Sequence, residues 1–312
     1  MYDTVNMWID RENTAEGDPF AVLPFLSDIT EKQSERFGYT CYGKLGDYTI
    51  SCYQAGISLK GSLAKFYLPS NFYTLTRQQT RESVEKLSDL LHVDLGKAKV
   101  NRIDVSTVIP TKRPPSDYYS RLGSKPHFER VQTTKNTLYY QTQRRQLVFY
   151  DKLRETAAKG VERPSSLDGL DHFLRYELRF MGKLPSQLKC STITAKTLSC
   201  GDFYYSIVQR WKQEFETIKK VYQSNNMVNL ENIKTPRDAM GVLLAKLLQQ
   251  NGQNTIDDFL ADLKASNVFS DKKYYSRLKS DLTRLIQVTG NNGDDLTKEL
   301  EAAVNNFARY AR

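Results

Sequence analysis

Three short segments of the sequence combine acidic, basic and phenolic side chains at the spacing of β-strands. They are Asn101–Ser106 (NRIDVS), Gln146–Lys152 (QLVFYDK) and Leu174–Phe180 (LRYELRF). Side chains of a strand alternate between its two faces, so the polar groups of each segment share one face. These groups are Arg102, Asp104 and Ser106, then Tyr150 and Lys152, then Arg175, Glu177 and Arg179. If the strands lie in one antiparallel sheet, these groups share its open face, because the apolar side chains between them face a core.

This set of groups suits phosphodiester transfer. Two carboxylates are oxygen ligands for Mg²⁺ or Mn²⁺, arginines offset developing charge, and a tyrosine hydroxyl attacks phosphorus to leave a covalent link. A free tyrosine has a pKa of about 10, and Lys152, two residues beyond Tyr150, would favour the phenolate. The alternative is that these charges only solvate the sheet, since Arg–Glu pairs across neighbouring strands are common.

The elements that carry these groups belong to a predicted α+β sheet domain over residues 1–182. Alternating or β-branched runs predict strands at 2–9, 37–43, 47–54, 56–60, 63–68, 99–108, 136–141, 146–151 and 173–180. Between them, Thr76–Leu91 changes to helical spacing, with Thr76 as the capping residue. We expect this helix to cover the apolar side of the sheet.

The rest of the chain predicts an all-α C-terminal domain at 203–312, after a linker at 183–202. Helical patterns occur at 203–223, 235–250, 255–266, 273–288 and 294–311. The basic run Lys272–Lys279 begins a helix shortly after another one, which is the layout of a helix-turn-helix. Simple helical packing with a solvated basic side is the alternative, so this domain is predicted to serve DNA binding or oligomerisation.

Charge and composition narrow the class of protein. The net charge of +9 is uneven: residues 1–95 hold 9 Lys/Arg against 13 Asp/Glu, whereas residues 96–179 hold 17 against 9. A local basic excess favours a polyanionic partner. No apolar run approaches a membrane span, and neither of the common glycine-rich nucleotide motifs occurs. We therefore expect a cytoplasmic protein with no membrane association and no nucleotide cofactor.

Four cysteines lie far apart without a C-x-x-C pair, so neither a zinc knuckle nor a disulfide framework is expected. Tyr139 and Tyr140 form a rival nucleophile pair, although no lysine or acid follows them closely, and base stacking or packing is the commoner role. Arg144 and Arg145 lie in a predicted tight turn and are candidates for phosphate contacts.

The order of the three segments resembles that in replication-initiator endonucleases of filamentous phages and related initiation factors of rolling-circle plasmids. Those families have an R-[IV]-D strand, an aliphatic strand ending in Y-x-K with an acid after it, and an R-[FY]-E strand. Arg102–Asp104, Leu147–Lys152 with Glu155, and Arg175–Glu177 match these patterns, and Gly56–Phe66 is similar to their G-S-L-x-K segment. The resemblance covers residues 1–182.

The resemblance implies a nick in one strand at a replication origin, a tyrosine joined to the 5′-phosphate, and a free 3′-OH. Tyr150 would be the nucleophile, Lys152 would stabilise charge, and Asp104 and Glu177 would hold Mg²⁺ or Mn²⁺. The DNA contacts are expected from Arg102, Arg144, Arg145, Arg175 and Arg179. Expected partners are origin DNA, a host helicase, a host DNA polymerase and a second copy of the chain.

The sequence departs from the family pattern at the metal site. Many related nickases bind metal through two histidines that flank one hydrophobic residue, whereas His92, His127 and His172 are never so spaced. Plasmid relatives with acidic sites often show D-x-D, and here Ser106 takes the second place. The third ligand is left open between Asp10, Asp151 and Glu155. His172 could also reach the metal, although a surface or capping role is commoner.

Two hypotheses of different classes follow. The first is a tyrosine-based, metal-dependent, single-strand DNA endonuclease that starts rolling-circle replication and later rejoins the strand. The second is a non-enzymatic DNA-binding regulator of replication or transcription that keeps the sheet as a platform. A tyrosine recombinase is disfavoured, because the arginine and histidine set of that class is not visible in the sequence.

Overall fold

The structure is a computed structural model of the chain. It describes residues 1–36, 38–134, 136–161, 163–221, 235–236, 240–241, 243–244, 254–269, 271–289 and 295–311. The helix predicted at 235–250 falls mostly outside the described residues. Within these ranges no helix combines the length and the apolar character that a membrane span needs.

Ten strands form one sheet in which every neighbouring pair is antiparallel. They are β1 (Tyr2–Asp10), β2 (Ser27–Ser34), β3 (Gly38–Leu45), β4 (Tyr48–Tyr53), β5 (Gly56–Ser62), β6 (Lys99–Pro110), β7 (Glu129–Thr134), β8 (Thr137–Gln141), β9 (Arg145–Asp151) and β10 (Phe173–Met181). Their order across the sheet is β2-β3-β4-β5-β1-β6-β10-β9-β8-β7. The three strands that carry the polar motifs, β6, β10 and β9, are therefore direct neighbours.

The described helices are shorter in the sheet region and longer towards the C-terminus. They are α1 (Leu63–Tyr67), α2 (Arg77–Leu91), α3 (Pro115–Tyr119), α4 (Lys152–Ala158), α5 (Leu184–Leu188), α6 (Ala195–Leu198), α7 (Gly201–Glu216), α8 (Asn254–Ala265), α9 (Lys272–Thr289) and α10 (Asp295–Tyr310). Single turns of 3₁₀ helix lie at Arg11–Asn13, Ala15–Gly17, Leu95–Lys97 and Ser165–Leu167, and a longer 3₁₀ segment lies at Pro19–Phe25.

One face of the sheet is apolar and packed against helices. Phe149 and Tyr176 stack on neighbouring strands with ring centroids 4.6 Å apart, and Trp211 of α7 lies 4.8 Å from the Tyr176 ring. The Tyr176 hydroxyl also donates to the Trp211 carbonyl oxygen at 3.0 Å. The opposite face carries Asp104 and Glu177, and we call it the open face. This division confirms the predicted α+β sheet.

The helix α2 begins where the sequence predicts. Thr76 accepts a hydrogen bond from the Gln79 backbone at 3.1 Å, while the Gln79 side chain accepts from the Thr76 backbone at 3.0 Å. This reciprocal cap satisfies two backbone donors that a helix start otherwise leaves unpaired. Over Phe149 and Tyr176, however, the packed helix is α7 and not α2, which corrects the sequence expectation for that part of the core.

Several other elements differ from the sequence prediction. The predicted strand at 63–68 is the helix α1, because the Ser62 hydroxyl accepts the Lys65 backbone N–H at 3.2 Å and caps it. Strands β2 and β7 were not predicted. Both are edge strands, and the side chains of β2 are nearly all exposed, so β2 lacks an alternating apolar pattern.

The chain divides into two compact units. The first consists of Met1–Ser116, Ser124–Ile218 and Ala303–Arg312, and the second consists of Asp117–Gly123 and Lys219–Ala302. The predicted linker at 183–202 thus falls inside the first unit, which continues to Ile218. In the second unit, α8 and α9 pack through Ile256, Leu260 and Leu282. The helix predicted from the basic run begins at Lys272, as expected.

Candidate active site

The sheet register brings the polar motifs of β6, β10 and β9 together on the open face. Across β6 and β10, Arg179 pairs with Asp104 and Glu177 pairs with Ser106. Across β10 and β9, Arg175 pairs with Tyr150. The structure therefore places the two carboxylates and the phenol that the sequence selected within one cluster.

Glu177 lies at the centre of this cluster and is buried. Its Oε1 atom accepts the Tyr150 hydroxyl at 2.7 Å and the Arg175 Nε at 2.8 Å, and its Oε2 atom accepts two nitrogens of Arg179 at 2.6 and 2.9 Å. Burial alone would raise the pKa of Glu177, but the charges of Arg175 and Arg179 outweigh it and lower the pKa to about 2. Glu177 is thus an ionised carboxylate with both oxygens occupied.

Tyr150 is a protonated phenol in this arrangement. Burial raises the pKa of Tyr150 well above its usual value of 10; the Arg175 charge opposes this rise, whereas the Glu177 charge adds to it. The phenolic proton points at Glu177, because the hydroxyl is the donor of the 2.7 Å hydrogen bond. The Tyr150 hydroxyl is therefore hydrogen-bonded to an ionised carboxylate.

Asp104 differs from Glu177 in its electrostatic environment. Arg102 binds it in a bidentate manner, with Nε 2.9 Å from Oδ1 and a terminal nitrogen 2.8 Å from Oδ2. Burial nevertheless raises the pKa of Asp104 to about 6, against the opposing effect of Arg102. Arg179 lies 3.8 Å from Asp104 and also binds Glu177, so one guanidinium connects the two carboxylates.

Arg175 is the buried hub beneath the cluster, with only 2% of its surface exposed. It donates to the Asn71 carbonyl oxygen at 2.6 Å, to the Ser106 hydroxyl at 2.8 Å, to Glu177 and to Asp3. Its guanidinium donors thus already contact protein groups. Arg175 therefore positions Glu177, and it is not exposed to a phosphate as the sequence expectation required.

Lys152 occupies a different place from the one expected. It begins helix α4 instead of extending β9, it is wholly buried, and its ammonium group donates to Asn71 at 2.9 Å and to Glu155 at 2.6 Å. Burial, followed by the Arg175 charge, lowers the pKa of Lys152 to about 8. The cation paired across the strands with Tyr150 is Arg175, which stands where Lys152 was expected to act.

The predicted DNA-contact arginines do not share one surface. Arg102 and Arg179 lie on the open face and are partly exposed, at 33% and 24% of their side-chain surface. Arg145 pairs with Phe180 in the register and binds Glu214 of α7, so it lies on the helix-covered face. Arg144 is exposed in the turn between β8 and β9.

The rival tyrosines separate in the structure. Tyr140 is wholly buried in the core, where burial raises its pKa to about 12. Tyr139 lies partly exposed on the other face, paired with Val148, which in turn pairs with Glu177. Tyr139 is thus two strands from Glu177, while Tyr150 is bonded to it. His92 caps the end of α2 with a left-handed backbone at φ 51°.

The acidic groups do not fit a divalent metal as they are placed. All four oxygens of Asp104 and Glu177 already accept hydrogen bonds from arginine or tyrosine. Among the candidates for a third ligand, Asp10 binds Lys99, Asp151 caps α4 and Glu155 binds Lys152. Across the described part of the chain, no group of three metal-binding side chains occurs. A metal ion could bind Asp104 only if Arg102 released the two carboxylate oxygens to which it donates.

Two residues of the cluster, Asp3 and Asn71, were not predicted from the sequence. Asp3, at the start of β1, accepts hydrogen bonds from Arg175 and from Ser62, the latter at 2.5 Å. Asn71, in the loop before α2, binds both Arg175 and Lys152. Neither belongs to a motif with the other site residues, so only the three-dimensional arrangement reveals them.

Comparison with known proteins identifies a family and a similar solved structure. The family, described as the N-terminal part of a phage replication-associated protein, matches residues 1–214. The curated protein sequences contain no match to this chain. A rolling circle replication initiator protein from Geobacillus stearothermophilus is similar in structure, with a TM-score of 0.42 and 10% sequence identity over 74% of this chain and 90% of that chain.

Proposed function

The chain belongs to this family of phage replication-associated proteins, and on that premise we propose that it initiates rolling-circle replication by nicking one DNA strand at the origin. Tyr150 is the nucleophile of this reaction. The observation that carries the proposal is the 2.7 Å hydrogen bond from the Tyr150 hydroxyl to Glu177 on an open sheet face. The ionised carboxylate holds and orients the hydroxyl that acts as the nucleophile in covalent catalysis.

In the proposed step, the phenolic oxygen of Tyr150 attacks the phosphorus of one phosphodiester. A bond forms between that oxygen and phosphorus, the bond from phosphorus to the 3′-oxygen breaks, and the phenolic proton passes through solvent to the departing 3′-oxygen, while Glu177 stays ionised and orients the phenol. The products are a 5′-phosphotyrosine link and a free 3′-OH, whose proton is the one that Tyr150 lost. Rejoining is the reverse step, in which a 3′-OH attacks the phosphotyrosine.

The arginines have separate tasks in this proposal. Arg175 holds Glu177 in place through a hydrogen bond, and its charge opposes the rise that burial causes in the pKa of Tyr150. Arg179 is partly exposed beside Glu177, so its guanidinium is the group that reaches the phosphate. The free 3′-OH would then serve a host polymerase, with a separate helicase to open the duplex.

Adduct formation tests the proposal. The protein is incubated with Mn²⁺ and single-stranded oligonucleotides from its own replicon, and a denaturing gel reveals any covalent complex. We expect an adduct that Tyr150→Phe abolishes and Tyr139→Phe retains. Thermal unfolding of both variants checks that each is folded. An adduct that persists in folded Tyr150→Phe would remove this residue from the reaction.

A non-enzymatic DNA-binding regulator is the second candidate. It is favoured by the arginine pairing of both carboxylates and by the raised pKa of Tyr150, which leave the cluster stable without a substrate. This candidate predicts salt-sensitive DNA binding and no cleavage with any divalent metal. The same gel, repeated with a series of metals, separates the two candidates.

A further inference from the structure

Beside the candidate active site, two rows of side chains cross the open face at right angles to the strands. In the first row, Arg102 of β6 pairs with Asn6, Asn6 pairs with Lys60, Lys60 pairs with Thr49, and Thr49 pairs with Lys44. We call this the cationic row. It contains three cations and no acid, and it starts at the arginine that holds Asp104.

The second row is aromatic and lies one step further along the same strands. Trp8 pairs with Ser58, Ser58 with Ser51, and Ser51 with Tyr42. Tyr53 joins this row, because its ring lies 5.9 Å from the Trp8 ring and its hydroxyl interacts with Ser51 and Tyr42. We call Trp8, Tyr42 and Tyr53, with the two serines between them, the aromatic row.

The aromatic row has a fixed geometry. A side chain at Gly56 would place its Cβ 2.9 Å from the Trp8 ring and 2.1 Å from the Ile9 carbonyl oxygen, so glycine is needed for the indole to lie there. The indole N–H donates to Asp10 at 2.8 Å, and Asp10 is neutralised by Lys99. Ser51 and Ser58, whose side chains are small, are buried between the rings.

The two rows lie about 7 Å apart, since adjacent same-face positions on a strand are two residues of about 3.3 Å apart. Charges for phosphates and rings for bases thus run side by side, as a single nucleic acid strand requires. Lys60 is exposed and forms no ion pair with another described residue. Lys44 is also exposed, and it forms a salt bridge with Asp28 in which both side chains are exposed to solvent.

We infer that the two rows form a binding site for single-stranded DNA that extends the candidate active site, with bases stacked on Trp8 and phosphates along Arg102, Lys60 and Lys44. The inference rests on the proposed function. It adds a site for the strand that flanks the nick. Duplex DNA fits this site less well, because its bases are already stacked and paired and cannot lie on the indole.

Tryptophan fluorescence tests the site directly. The chain has two tryptophans, and Trp211 is wholly buried, so quenching by DNA reports on Trp8. The measurement uses full-length Tyr150→Phe protein, a 15-nucleotide oligo(dT), an abasic strand of equal length and a 15-base-pair duplex. We expect quenching by oligo(dT) alone, and none in Trp8→Phe. Equal quenching by the abasic strand or by the duplex would overturn the stacking role.

Binding affinities, measured by anisotropy of labelled oligo(dT), provide the second readout. Trp8→Ala should weaken binding about tenfold, and Lys60→Gln should lower the slope of log affinity against log salt by about one contact. The matched control is Tyr205→Ala, an exposed aromatic residue of α7 that is 60% accessible, which should change affinity less than twofold. Unfolding of Trp8→Ala would leave the exposed Lys60→Gln as the deciding variant.

The outcomes also separate this inference from the proposed function. Quenching and tight binding without any covalent adduct in the wild-type protein would support the strand-binding site and reject the nicking reaction. An adduct without quenching, and with Trp8→Ala and Lys60→Gln binding like wild type, would keep the nicking reaction and reject the strand-binding site.

Discussion

Replacing Arg175 by methionine should destabilise the first unit more than any other single change in the cluster. Methionine keeps much of the side-chain length but removes the hydrogen bonds to Glu177, Asp3, Ser106 and the Asn71 carbonyl. Glu177 would then keep only Arg179 and the Tyr150 hydroxyl as partners, although its side chain is 4% exposed.

The size of the effect follows from this burial. Removing one partner of a buried ion pair costs about 3 to 5 kcal/mol, because the remaining charge stays buried. Arg179→Met is the matched control. The Arg179 side chain is 24% exposed and Glu177 would keep Arg175, so we expect a loss of about 1 kcal/mol. Arg175→Lys should fall between the two, since it keeps a charge without the planar fork.

Urea unfolding at pH 7, followed by tryptophan fluorescence, measures these losses. Trp8 and Trp211 both belong to the first unit, so the signal reports on that unit. The double variant Arg175→Met with Glu177→Gln should recover about 2 kcal/mol or more relative to the sum of the single losses. A loss below about 1 kcal/mol for Arg175→Met, or one equal to that of Arg179→Met, would refute the view that Arg175 compensates buried charge.

Two further predictions concern the other carboxylate. Because the pKa of Asp104 is about 6 in the folded protein against an ordinary 3.8, the folded state binds more protons between these values. The contribution of Asp104 to stability should therefore fall as pH rises from 4 to 6, by on the order of 3 kcal/mol. The difference in the free energy of unfolding between wild type and Asp104→Asn, measured by urea unfolding at each pH, should show this fall; a difference that does not change with pH would contradict the assignment. Arg102→Ala should bind Mn²⁺ about three- to tenfold more tightly than wild type in a spin-resonance titration, because both Asp104 oxygens lose their partner; unchanged or weaker binding would show that Arg102 does not compete with a metal.

Much of the sheet could be predicted from the sequence because most strands have one buried face. Alternation marks β1, β4, β9 and β10, where apolar residues return at every second position. The same argument fails for β2, whose residues are exposed on both faces. The packing of α7 could not be predicted either. Helical periodicity identifies the buried side of a helix, but it does not show which element that side packs against, and Trp211 packs on Tyr176, which is distant in the sequence.

The candidate site divides in the same way. Strand alternation was enough to place Asp104, Glu177 and Tyr150 on one face. It could not supply the register between strands, which decides that Tyr150 contacts Glu177 while Asp104 contacts Arg102. For Lys152, alternation was extended one residue too far. The signal that could have corrected it is Asp151, whose side chain accepts the Arg154 backbone N–H and caps α4.

The charge balance of the cluster indicates which cations would attract DNA from a distance. Three carboxylates, those of Asp3, Asp104 and Glu177, face three guanidiniums, those of Arg102, Arg175 and Arg179. Such a cluster has no net charge and attracts a polyanion only weakly at a distance. Under the proposed function, this attraction comes from cations outside the cluster, and the lysines of the cationic row lie on the same face. Replacing the lysines of the cationic row by glutamine should therefore reduce DNA affinity, while the hydrogen bond between Tyr150 and Glu177 stays intact.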